Sequence, residues 1–300
     1  MAGPGAPQQP PRSMRRIELP ARATELLRVS VETVTEIECG WDYVVFEVNG
    51  AWIVRIPRRA EVEGWLRKEI RLLPEIAPLL PLPIPRFDVV AADEEEAFVA
   101  YRKLPGRSLD VVLRGEVDAP VLGRQLGSFL AALHSFPLPR AMRLTRTDPE
   151  SPGWLAQQEE LRERSERDAY PLLEPEERRR ADHVFEEYFA SADGVSPALV
   201  HGDLGPDHVL SSTDTVTGVI DWSDASVGDP AIDLAWPTHA TPREVAEALL
   251  DAYGPESAGP SERSPYYYRV AHLHEVLHAL DHDDAALLER GLRAFRERLP

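Results

Sequence analysis

One stretch of the chain gathers residue types that can do chemistry. It reads Leu199-Val200-His201-Gly202-Asp203-Leu204-Gly205-Pro206-Asp207-His208-Val209-Leu210, followed by Thr217-Gly218-Val219-Ile220-Asp221-Trp222. Two apolar pairs, Val209-Leu210 and Val219-Ile220, bracket a turn and deliver polar residues at their ends. Phosphoryl transfer asks little of a protein: a carboxylate to orient the attacking hydroxyl, and donors that hold a divalent cation against the β- and γ-phosphates. Asp203 on a short loop, His208 five residues on, and Asp221 after the next strand have a spacing that meets this need. The set His201, Asp203, His208 and Asp221 also suits a metal-dependent hydrolase, and at this point both chemistries stay open.

The surrounding segments must position these residues. Thr33–Glu38 and Tyr43–Val48 read as strands, and Asn49-Gly50 then leads into Ala51–Ile56. Asn-Gly between such runs predicts a hairpin, because both turn positions need φ > 0. Val62 to Ile76 follows with Leu66, Ile70, Leu73 and Ile76 on one helical face, and Phe87–Ala91 and Ala97–Tyr101 read as further strands. After Leu104-Pro105-Gly106 the pattern turns helical: Pro120–His134, the Glu- and Arg-dense Glu159–Glu187, Pro242–Tyr253 and Tyr266–Leu299. The expected architecture is α+β in two lobes, a small sheet carrying one helix and a larger, mainly helical lobe. Residues 1–14 read as a disordered Pro-rich tail, 15–104 as the first lobe and 105–300 as the second. His134 reads as a packing residue with a satisfied ring nitrogen. His272, His274 and His278 read as packed or solvated helix positions.

The formal charge of −18 argues against a nucleic-acid partner, which demands a basic surface, and suits a small cationic substrate. A single cysteine, Cys39, excludes an internal disulfide framework and points to a reducing, cytoplasmic setting. The apolar run Ile76–Pro85 is broken by four prolines and cannot span a bilayer. The expected assembly is a monomer or dimer.

His201-Gly202-Asp203 with a ligand position five residues later resembles the catalytic loop of the aminoglycoside phosphotransferase family, relatives of protein kinases. Ile220-Asp221-Trp222 is similar to that family's metal-binding segment, and Asp229-Pro230-Ala231-Ile232-Asp233 to its following acidic motif, whose second Asp braces the catalytic loop. Upstream, Trp52-Ile53-Val54-Arg55-Ile56-Pro57 resembles the phosphate-contacting strand, with Glu69 as its helix partner. Tyr101-Arg102-Lys103 resembles the hinge that reads the purine. The resemblance implies a protein-kinase-like fold and ATP or GTP as donor, with Mg²⁺. Asp203 would be the catalytic base, and Arg55, Glu69, Tyr101, Arg102 and Lys103 the nucleotide contacts. His208 and Asp221 would hold the metal. The acceptor would be a hydroxyl of a small antibiotic, a macrolide or aminoglycoside, with a cellular amino alcohol or sugar as the alternative. A non-catalytic nucleotide-binding module is a further alternative.

Two departures from the pattern bear on this. His208 stands where Asn is usual, and imidazole is a softer donor than Mg²⁺ prefers. Macrolide phosphotransferases resemble the chain at this position, and their strand pattern Trp-x-x-Arg-x-Pro-Arg matches Trp52 to Arg58. Arg55 stands where many kinases carry Lys, in a chain with only two lysines, Lys68 and Lys103. Arginine still offers charge and a bidentate fork to phosphate.

Overall fold

The computed structural model describes residues 19, 21–37, 42–92, 97–146, 153–255 and 258–300. The expected tail at 1–14, Glu38 at the end of the first expected strand, Cys39 and Gly40 lie outside them. The chain divides into two compact units. One holds residues up to Ala77 together with Ile84–Leu104, the other Pro78–Pro83 together with Pro105–Pro300.

In the first unit, helix α1 (Ala21–Leu27) precedes strands β1 (Val34–Ile37), β2 (Tyr43–Val48) and β3 (Trp52–Pro57). Helix α2 (Ala60–Ile76) and strands β4 (Phe87–Ala91) and β5 (Phe98–Arg102) complete it. The five strands form one antiparallel sheet in the order β1-β2-β3-β5-β4. The β2–β3 hairpin turns at Asn49 (φ 54°) and Gly50 (φ 64°), the conformation that Asn-Gly favours. The Asn49 side chain adds to this, accepting from the Glu32 and Thr33 amides at 2.8 and 3.0 Å. Strands β2 and β3 are apolar on both faces because both faces are covered. Val44, Phe46, Trp52 and Val54 pack with Ala23 and Leu27 of α1, while Val45, Ile53 and Tyr101 pack with Val62 and Leu66 of α2. Helix α1 is an addition to the single helix that the sequence suggested.

The second unit begins with β6 (Arg107–Ser108), α3 (Leu109–Val112), α4 (Ala119–His134) and α5 (Leu138–Thr145). The Glu- and Arg-dense stretch is then divided: α6 (Trp154–Arg164), a π turn (Ser165–Ala169) and a 3₁₀ turn (Tyr170–Leu172) precede α7 (Pro175–Ser191). Pro171 and Pro175 sit where an unbroken helix would need their missing amides. Strands β7 (Ala198–Val200), β8 (Val209–Ser211), β9 (Val216–Val219) and β10 (Ser226–Gly228) follow, then α8 (Ala231–His239), α9 (Arg243–Tyr253), α10 (Ala258–Asp281) and α11 (Ala285–Arg298). The strands form two small antiparallel sheets, β6-β8-β9 and β7-β10. The helical core gathers Phe185 and Tyr188 of α7 with Tyr266, Tyr267, Leu273 and Val276 of α10. Among the described residues, no helix is long and apolar enough to cross a membrane.

Candidate active site

Arg55 lies in β3 and Glu69 in α2, and both are buried, at 4% and 0% exposure. Their ion pair is two-pronged, Nη1 to Oε2 at 2.7 Å and Nη2 to Oε1 at 3.3 Å. The Tyr43 ring lies 4.0 Å from the guanidinium, and its hydroxyl donates to Glu69 Oε1 at 3.2 Å. Buried charges persist only when paired and hydrogen-bonded, and this triad meets that demand. The strand–helix partnership expected for Arg55 and Glu69 is therefore present as geometry.

The three residues expected at the hinge, Tyr101, Arg102 and Lys103, direct their side chains to partners on the same sheet. Tyr101 packs against Phe87, the Arg102 guanidinium stacks 3.9 Å from the Trp52 ring, and Lys103 Nζ pairs with Glu47 at 2.5 Å.

In the second unit, β7 runs into His201-Gly202-Asp203. Gly202 has φ 87°, and a Cβ there would come 2.6 Å from the Asp224 carbonyl oxygen, so the turn requires glycine. Two buried side chains hold this loop by its backbone. Asp233 of α8 accepts from the His201 amide (Oδ2, 2.7 Å) and the Gly202 amide (Oδ1, 2.9 Å). The His201 ring donates from Nε2 to the Ile220 carbonyl at 3.0 Å, leaving Nδ1 to face the Asp203 amide at 3.4 Å. Burial holds the His201 pKa below its usual 6.5, in keeping with this neutral tautomer. The result is a fixed backbone carrying an exposed carboxylate: the Asp203 side chain is 60% accessible.

His208 closes the 3₁₀ turn Pro206–His208. Its Nδ1 lies 2.7 Å from the Asp203 carbonyl oxygen, and a carbonyl only accepts, so Nδ1 carries the proton. In the neutral ring this turns the Nε2 lone pair outward, 3.8 Å from Asp221 Oδ2. Burial pushes the His208 pKa down, but the carboxylates of Asp203 and Asp221 outweigh it, and the net shift is upward. The Ile220 amide donates to the His208 carbonyl at 2.8 Å, which ties the two candidate ligands together. Asp221 itself sits in the left-handed region, φ 61°.

Asp221 and His208 fit a cation that a polyphosphate helps to hold. One carboxylate and one tautomer-fixed imidazole nitrogen converge, and the described residues contain no cluster of three or more His, Cys, Asp or Glu able to hold a metal alone. Mg²⁺ ordinarily takes one or two carboxylates and completes its octahedron with phosphate oxygens and water.

Some partners had no signal in the sequence. Tyr43 under Arg55 is one, and Tyr253 behind His134 is another. Arg263 is a third: it grips Asp229 through two 2.8 Å bonds across 34 residues. No periodicity or motif announces pairings of this range.

Known proteins share this fold. The solved GDP complex of wild-type aminoglycoside 2'-phosphotransferase-IIIa has a TM-score of 0.82 at 25% identity, covering 92% of this chain and 95% of that one. The macrolide 2'-phosphotransferase of Brachybacterium faecium has a TM-score of 0.71 at 28% identity, covering 91% and 96%. Viomycin phosphotransferase of Streptomyces vinaceus is 28% identical over 211 residues, 68% of this chain and 71% of that protein. The pattern of the phosphotransferase enzyme family matches residues 33–266, more than three quarters of the sequence, and the chain belongs to that family.

Proposed function

We propose that this phosphotransferase moves the γ-phosphate of ATP or GTP onto a hydroxyl of a small cationic antibiotic, with Asp203 as the base. The observation that carries the reading is the exposed Asp203 carboxylate on a backbone pinned by Asp233 and His201, beside the His208–Asp221 pair. The acceptor oxygen attacks the γ-phosphorus while the bond from that phosphorus to the β–γ bridging oxygen breaks. The nucleoside diphosphate leaves, and the hydroxyl proton passes late to Asp203. Bound Mg²⁺ would neutralise charge on the β- and γ-oxygens, held by Asp221 and His208. Arg55, fixed by Glu69 and Tyr43, would add positive charge for the nucleotide phosphates.

Three relatives act on or are named for viomycin, aminoglycosides and macrolides, which defines the acceptor class to be tried. A net charge of −18 suits polycationic acceptors. These substrates would be met in the cytoplasm. The test is nucleotide consumption against a panel containing a macrolide, an aminoglycoside and viomycin, with the product identified by mass. Asp203→Ala is expected to lower turnover ~100-fold or more while nucleotide still binds. Near-normal turnover in that variant removes Asp203 from the mechanism. If no antibiotic is phosphorylated, the acceptor shifts to a cellular amino alcohol or sugar.

A further inference from the structure

We propose that the second unit holds a further small-molecule site, a pocket among α8, α9 and α10 whose ligand is a neutral polyol of monosaccharide size. Nothing in this inference requires Asp203 to be the base.

The pocket has a volume of about 480 Å³, within the range of cavities that enclose small organic ligands. Helix α8 ends on Pro237-Thr238-His239, and Thr241-Pro242 turns the chain into α9. One wall is the α9 face made by Arg243, Ala246, Glu247 and Leu250, spaced by three and four residues. The first turns of α10 add Ser261 and Ser264. The catalytic loop is held from the other end of α8. Asp233 precedes His239 by six residues, roughly 9 Å of helix at 1.5 Å per residue.

The hydroxyl protons of the lining are already committed to backbone carbonyls. Thr238 and Thr241 donate to Leu234 and Pro237 at 2.6 Å each, and Ser261 and Ser264 donate to Ala258 and Ser261 at 3.0 Å each. A hydroxyl carries one proton, so His239 Nε2, 2.9 Å from the Ser264 oxygen, donates in that bond. Nδ1 of the neutral ring is then an acceptor. Burial, together with the Arg269 charge, holds the His239 pKa below 6.5, in keeping with a neutral ring. Thr238, Thr241 and Ser261 are only half-buried and keep oxygen lone pairs. The lining therefore presents acceptors spread over α8, the turn after it and α10, which calls for a ligand with several separated donors. Arg243 and Glu247 are exposed and pair with each other at 2.6 Å, so the charges in the lining cancel. The Arg269 charge that acts on His239 would also repel an ammonium ion. Hydroxyl groups supply donors without charge, and the half-buried Ala246 and Leu250 suit the C–H face of a sugar ring.

The test is an NMR titration of the full chain with three probes: methyl α-glucoside, cyclohexylammonium and cyclohexanecarboxylate. The first brings several donors without charge, the second donors with positive charge, and the third acceptors only. Methyl glucoside should shift the His239 ring protons and the Ala246 and Ser261 amides along one saturating curve, with a Kd on the order of 1 mM for a ligand of this size. Both cyclohexyl probes should bind roughly tenfold more weakly or not at all. Thr241→Val removes one acceptor at nearly constant volume and should weaken glucoside binding about fivefold. Ala246→Trp fills the pocket and should abolish the shifts, whereas Asp203→Ala should bind the glucoside as wild type does. Circular dichroism establishes that each form is folded. If Ala246→Trp does not fold, Ala246→Leu and Thr241→Val carry the test, and undiminished affinity in both overturns the site. The absence of a saturating shift at roughly ten times the expected Kd also overturns it. Shifts that survive Ala246→Trp and vanish in Asp203→Ala would place the sugar at the catalytic loop and overturn the separate pocket. A carboxylate or ammonium probe that binds as tightly as the glucoside overturns the ligand class. None of these outcomes bears on phosphorylation of the antibiotic panel, so the site and the proposed activity fail separately.

Discussion

The two units fix their charged groups in opposite ways. In the first, Arg55 and Glu69 meet side chain to side chain in the interior, with Tyr43 against both. In the second, Asp203 and Asp221 keep 60% and 42% of their side chains accessible, and order is imposed on their backbone by His201, Asp233 and the β8–β9 pairing. A charge that must hold its place can be buried with its partner. A charge that must receive a proton or a cation has to stay accessible, so only its peptide can be held. The first arrangement makes the position of a charge part of the stability of the fold, and the second separates the two.

The sharpest way to break that contrast is to remove one partner of the buried pair. Glu69→Ala leaves the Arg55 guanidinium in the interior without its carboxylate, and should cost about 3–5 kcal/mol of stability. Denaturant unfolding checks this, and a loss under about 1 kcal/mol would show that the pair does not fix the first unit. Asp203→Asn and Asp221→Asn, by contrast, should change stability by no more than ~0.5 kcal/mol while lowering turnover ~100-fold. Equal stability losses at Glu69 and Asp203 would erase the distinction between the units.

The loop histidines sharpen the comparison in pH. His201 has its folded pKa below 6.5, so the stability associated with its neutral form is present above about pH 6.5 and is lost as pH falls toward the folded value. His208 has its pKa raised, so its contribution is fully present below about pH 6.5 and is lost as pH rises through the folded value. Ring-proton NMR of the metal-free protein should therefore find His208 titrating above 6.5 and His201 below it. The rings are only 6.1 Å apart, so coincident titration would contradict the opposed environments.

The smallest expected effect is on metal demand. A protonated His208 cannot ligate, so the Mg²⁺ needed for half-maximal turnover should rise as pH falls through its titration. His208→Asn should flatten that dependence. Indistinguishable Mg²⁺ titrations for wild type and His208→Leu would remove His208 as a ligand.

Much of this was legible in the sequence where a local rule decides conformation. Asn49-Gly50 specified the hairpin, and the spacing Leu66-Ile70-Leu73-Ile76 specified α2. The loop from His201 to Asp221 was legible because its residues are close in sequence as well as in space. Helix α8 was hidden: Pro230 precedes it and Pro237 lies inside it, so its composition reads as a breaker. Strands β7 and β10 have three residues each, too few to establish a period. The partners of the Tyr101–Lys103 side chains were hidden for a different reason. Period-2 alternation says that Arg102 faces one side of the sheet, but not that the Trp52 ring waits there. His134 read as a packing residue with one satisfied nitrogen. Both are engaged, because partners 99 and 119 residues away close on it only after folding.

The left-handed backbone of Asp221 has a consequence for how such a protein drifts. That conformation costs an L-residue ~1 kcal/mol that glycine does not incur. A population selected for heat tolerance alone should therefore accumulate glycine at position 221 and lose phosphate transfer, whereas one held under drug pressure should keep the acid. Sequencing two such populations from one starting library would show whether Asp221 persists because of the fold or because of the chemistry.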